Sequence, residues 1–167
     1  MNKSTKKLCA LSAAVALAMI LSFVESQIPP IVPIPAVKIG LANVVTVFLL
    51  YAFTWKEAGI VSLIRIGLSS MLFGSPVSML YSLSGAVLSF LFMLLFKRLN
   101  LFSAIGVSIA GGVFHNVGQI ICAAFILGTS TIVVYLPVLL ISGVIGGIAV
   151  GSLGGLLILK IKKYIRF

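Results

Sequence analysis

Apolar runs alternate with short polar breaks along the whole chain. Leu8 to Val24 is an apolar run of 17 residues, and five more follow over 39–53, 59–73, 77–96, 102–127 and 132–159. A helix needs about 20 mostly apolar residues to cross the hydrocarbon core of a bilayer, with a lower limit near 17. The pattern therefore predicts six transmembrane helices. The breaks between them carry turn residues: Thr54-Trp55-Lys56-Glu57, Gly74-Ser75-Pro76, Lys97-Arg98 and Gly128-Thr129-Ser130-Thr131. Pro137 marks the true start of the sixth helix or a kink in it, because proline fits only the first turn of a helix without breaking it.

One stretch departs from the pattern. Residues 25–38 hold four of the six prolines, and within Ile28 to Pro35 the other residues are Ile and Val. Proline removes a backbone donor and biases the preceding residue away from helix. This segment predicts an apolar, proline-stiffened loop. Non-helical backbone at membrane depth survives only when buried in protein or lining a cavity. The loop is therefore a candidate wall of a binding site, with a stiff connector as the alternative.

Composition fixes the class. The chain is 61% hydrophobic and 8% charged, and its mean hydropathy is +1.30. Soluble domains carry about a quarter charged residues. The expectation is an all-α integral membrane protein, a single transmembrane domain over residues 1–167. There is no Asp, and the acids are Glu25 and Glu57. That excludes ready-made carboxylate pairs for acid–base work and carboxylate-built Mg²⁺ sites. No catalytic residue, metal site or cofactor is predicted. Cys9 and Cys122 lie far apart and form no ligand spacing. No GxxxxGK[ST] motif is present, so the chain does not use ATP by the usual route.

The net charge of +10 fits topology signals better than a nucleic-acid surface, because the basic residues fall in clusters between apolar runs. Lys3, Lys6, Lys7, Lys56, Lys97, Arg98, Lys160, Lys162, Lys163 and Arg166 share one side of a six-helix arrangement. Lys38 stands on the other, and Arg65 lies inside a helix. Cytoplasmic loops carry the excess of Lys and Arg. Both termini are thus expected in the cytoplasm, in a multi-pass protein of the cell membrane.

Polar residues inside membrane helices usually face the bundle interior or a water-filled cavity. Asn43, Arg65, His115, Asn116 and Gln119 are the candidate substrate-binding residues, with Lys38 as a contact from the proline-rich loop. His115 and Gln119, four apart, share a helix face. A guanidinium with amide and imidazole groups suits an anionic or strongly hydrogen-bonding ligand. The alternative is a hydrogen-bond network that pins helices. Two small-residue ribbons suggest close helix packing. Ala10, Ala14 and Ala18 recur on the first helix, and Gly143, Gly147, Gly151 and Gly155 on the sixth.

Several stretches carry a family resemblance: IPPIVPIPAVKIGLANVVTVFLLY, SLIRIGLSSMLFG, YSLSGAVLSFLFM, GVSIAGGVFHNVGQ and YLPVLLISGVIGG. Together they resemble the membrane family labelled heptaprenyl diphosphate synthase component I, or Gx transporter family. Ala36 departs from it, standing where that family is expected to have Gly. The family is similar in turn to the substrate-binding S-components of energy-coupling-factor (ECF) vitamin transporters. That similarity implies an S-component-like bundle with cytoplasmic termini and an outward site capped by loops. It also implies that Ala10, Ala14 and Ala18 dock a coupling membrane protein, and that separate ATPase subunits supply the energy. The synthase label fits poorly, because prenyl elongation needs aspartate-rich motifs and this chain has no Asp.

The leading expectation is a non-enzymatic, substrate-binding subunit for uptake of a small micronutrient or isoprenoid-linked compound, with no role for nucleic acid. The alternatives are a quinone- or flavin-linked membrane component of electron transfer and an accessory subunit of prenyl diphosphate synthesis.

Overall fold

A computed structural model of the chain describes residues 2–28, 40–100, 102–129 and 131–161. These residues form six α-helices: α1 Lys3–Gln27, α2 Asn43–Ala52, α3 Trp55–Phe73, α4 Pro76–Leu99, α5 Ala104–Leu127 and α6 Leu136–Ile161. A 3-10 turn, Thr131–Tyr135, leads into α6. Pro137 thus falls in the first turn of α6, where its missing N–H costs nothing.

Among the described residues, four stretches are long and apolar enough to cross a membrane: α1, α4, α5, and the 3-10 turn with α6. The other two helices differ from the six-span expectation for physical reasons. At ten residues, α2 spans roughly 15 Å, half a hydrocarbon core. Every 18-residue window of α3 contains Lys56, Glu57 and Arg65.

The first helix also departs from its apolar run. It begins in the basic head at Lys3 and continues through Glu25 to Gln27. Glu25 therefore sits in the last turn of a helix, not in the expected loop of 25–38. The rest of that loop, with Lys38, lies outside the described residues. Gly40 follows it with φ of 78°, a left-handed conformation that costs glycine nothing.

The helices form two groups. In the first, α1 packs on α3 and less extensively on α2, and α2 also packs on α3. In the second, α5 packs extensively on both α4 and α6. Contacts of α2 with α6 and of α3 with α4 join the groups. The shared core includes Val45, Leu49 and Leu50 of α2, Ala58 of α3 and Val107 of α5.

Glycines set the spacing in the second group. A Cβ on Gly112 would stand 2.3 Å from the Gly143 carbonyl oxygen. A Cβ on Gly147 or Gly151 would stand 2.5 or 2.7 Å from Cα of Ile109 or Ile105. The expected ribbon on α6 is thus seated against α5 at three of its four positions. Gly155 is the exception: a Cβ there meets nothing within 4 Å, and Gly154 faces Val47 of α2 in its place. The run had drifted off the contact face, as 3.6 residues per turn requires of a strict four-residue spacing. On the other side of α5, Gly118 lies against Ser84 and Gly85 of α4, and the Ser84 hydroxyl donates to the Gly118 carbonyl at 2.6 Å.

The alanine ribbon also makes a close approach, but inside the chain. Ala18 is 1% exposed and Ala14 9%, both in the core shared with α2 and α3. Two of the three alanines expected to dock a partner, Ala14 and Ala18, are thus covered by the protein's own helices, while Ala10 is half-buried.

Basic residues gather at one end of the bundle. There Lys7 pairs with Glu57, Lys97 donates to the Leu50 carbonyl, and the Lys97 ammonium lies 5.0 Å from the Tyr51 ring centroid. Glu57 also accepts from the Thr54 backbone N–H and hydroxyl, each at 2.9 Å, satisfying a donor at the start of α3.

Two predictions follow from this packing. Gly147→Leu forces backbone apart and should convert the detergent-solubilised protein from a monodisperse peak to aggregate on size exclusion, since overpacking typically costs about 1–3 kcal/mol or more. Gly155→Leu should elute as wild type. Burial of Glu57 opposes its charge, yet the hydrogen bonds from Lys7 and Thr54 hold its pKa below the ordinary value. A carboxylate lowered by folding stabilises above its unfolded pKa and loses that contribution as pH falls through the folded one. Wild type should therefore lose its stability margin over Glu57→Gln below about pH 4, a margin of about 0.2–1 kcal/mol, as read by thermal melts across pH.

Candidate functional site

The end of the bundle away from Lys7 and Lys97 contains a polar cavity of about 70 Å³. Five helices supply its walls. The last turns of α1 contribute Ser22 and Glu25, and the start of α2 contributes Asn43. From α3 come Arg65, Ser69 and Ser70; from α4, Ser78 and Ser82; from α5, His115 and Gln119. A second lobe of about 40 Å³ adjoins it and shares Gly40, Asn43 and His115.

Local structure explains how these side chains arrive. The reciprocal cap between Ser75 and Ser78, with Pro76 in the first turn, starts α4 at the cavity rim. On α5, His115 and Gln119 stand one turn apart on the same face. The close approach of Gly85 to His115 brings α4 against that face: a Cβ on Gly85 would stand 2.8 Å from the His115 carbonyl oxygen.

Arg65 is the chemical centre of the cavity. Its Nη2 donates to Asn43 Oδ1 at 3.4 Å, a long bond. Its Nε is buried and has no hydrogen-bond partner among the described residues. Gln119 is 5% exposed, and its Oε1 also lacks a partner, as does the Ser22 hydroxyl. Buried polar atoms are normally paired, because leaving one unmet costs about 1–3 kcal/mol. Unmet donors and acceptors converging on one space are what a site awaiting a polar ligand presents.

The sequence-predicted residues divide into three groups. Asn43, Arg65, His115 and Gln119 meet in the main cavity. Asn116 lines the second lobe, and its amide nitrogen is committed to α6: it donates to the Leu139 carbonyl and, at 3.3 Å, to the Ser142 hydroxyl. That bond makes Asn116 a tether between α5 and α6 at the Gly112–Gly143 crossing. Lys38 lies outside the described residues.

Glu25 and the serines had not been assigned to the site. Ser69 follows Arg65 by four residues, so helical spacing alone places both on one face. Glu25 had no such signal, because the apolar run ends at Val24 and hydropathy marks greasiness rather than helix. The stop at Gln27 fits Pro29 and Pro30 just beyond it.

No curated protein and no solved structure matches the chain. A family model described as heptaprenyl diphosphate synthase component I matches residues 14–157. That span runs from the buried turn of α1 to near the end of α6 and takes in every cavity residue named above. The chain belongs to the heptaprenyl diphosphate synthase component I family.

Proposed function

We propose that this protein is a membrane-embedded substrate-binding subunit of an uptake system, and that the Arg65 cavity is where the substrate binds. One observation carries the reading: Arg65, half-buried among apolar helices, has a buried Nε donor with no partner among the described residues and faces a cavity lined by hydroxyls and an open amide. A guanidinium offers a fork of donors matched to a carboxylate or phosphate, and charge-assisted hydrogen bonds are about twice as strong as neutral ones. The substrate in this reading is a small molecule with an anionic group held by Arg65.

The positive-inside rule orients the bundle. The end with Lys7, Lys56 and Lys97 faces the cytoplasm, both termini lie there, and the cavity opens outward. The protein performs no catalysis and has no nucleotide motif. Energy comes from separate ATPase subunits through a coupling membrane protein. That protein docks on a surface other than the Ala10, Ala14 and Ala18 face, of which Ala14 and Ala18 are buried.

The family description favours a second reading, an accessory membrane component of prenyl diphosphate synthesis. A chain without Asp cannot supply the aspartate-rich diphosphate site, so in this reading a partner subunit carries the chemistry.

Purification of the tagged protein from its native membranes in mild detergent, followed by proteomics, separates the two. The expected result is an ATPase and a second membrane protein in stoichiometric amounts. A soluble prenyl synthase in their place would establish the second reading and end the first.

A further inference from the structure

An anion on Arg65 would not be alone in the cavity, because Glu25 lines it too. No ion pair joins the two, although the Glu25 charge acts on Arg65. Each is held by something else. Glu25 accepts the backbone N–H of Gly40 through Oε1, which anchors the carboxylate near the start of α2. Arg65 leans on Asn43 through Nη2 and leaves Nε open. Opposite charges in apolar surroundings attract strongly when free to meet. Here a cation and an anion face one small space and are kept from closing on each other. Gln119 adds an amide oxygen without a donor.

These charges set conflicting terms for a simple ion. A plain anion on Arg65 brings a second negative charge beside Glu25. A plain cation on Glu25 brings a second positive charge beside Arg65. Either also carries net charge into an apolar bundle, where desolvation costs several kcal/mol per ion. A molecule with both charges satisfies both walls and adds none.

We propose that the substrate of this cavity is a small dipolar molecule, with a carboxylate or comparable oxyanion on Arg65 and an ammonium or other N–H donor on Glu25. Gln119 accepts a further donor from it. The inference rests on the reading of this cavity as the substrate site, and narrows it. The main cavity measures about 70 Å³, so the dipolar part is compact.

The test uses chain-matched probes on the full-length protein in nanodiscs. Glycine, β-alanine and γ-aminobutyrate carry both charges at increasing separation. Acetate, propionate and butyrate carry the negative charge alone, and methylamine, ethylamine and propylamine the positive charge alone. Binding is read by thermal shift and confirmed by calorimetry. At least one amino acid should bind tenfold or more tighter than its matched acid and amine. Glu25→Gln should abolish that preference and strengthen binding of the matched acid, while Arg65→Ala should remove binding of both.

If an acid binds wild type through Arg65 as well as its matched amino acid does, the dipolar assignment is wrong and the anion site stands. If no amino acid binds, the dipolar assignment is likewise overturned. The wild-type comparison is decisive even if a variant fails to fold, and neither result alters the co-purification test of the uptake reading.

Discussion

A guanidinium inside an apolar bundle is the constraint on which the rest of this structure turns. Moving a charge from water into such surroundings costs several kcal/mol unless it is paired or hydrogen-bonded. Arg65 donates one long bond, to Asn43 Oδ1, and among the described residues it meets no carboxylate directly. The remaining compensation is distributed. Glu25 supplies a charge without contact, and serines from three helices line the space around it. Five helices converge at that end, and the polar groups they bring line the cavity around Arg65.

The opposite requirement, tight backbone contact, organises the other half. Gly112 with Gly143 and Gly118 with Gly85 bring α5 against both of its neighbours. Hydrophobic burial does little to join helices in lipid, so van der Waals contact and interhelical hydrogen bonds do that work. Asn116 supplies such a bond to α6, and Ser84 to α5. The α4–α5–α6 group then presents His115 and Gln119 to a first group in which α1 packs mainly on α3 and less on α2.

Much of this was legible in the sequence. Helical spacing places His115 and Gln119 on one face of α5; that Asn43 and Arg65 come to the same cavity, and that Asn116 turns to α6, is visible only in the packed helices. Three things were hidden, each for a physical reason. Hydropathy ends a helix where apolarity ends, whereas α1 continues through Glu25 to Gln27. Spacing shows that a small-residue face packs closely but not against what, and in the fold α2 and α3 cover Ala14 and Ala18. A strict repeat of four outruns the helix turn, so Gly155 has left the face that its spacing predicts.

The central claim is that Arg65 holds a small polar molecule. Native mass spectrometry of the protein released directly from its own membranes tests it most directly. The account predicts a bound small molecule on wild type that is missing from Arg65→Ala, with both proteins intact and monodisperse. A wild-type protein that carries no such molecule, or an Arg65→Ala variant that carries the same one, would contradict it.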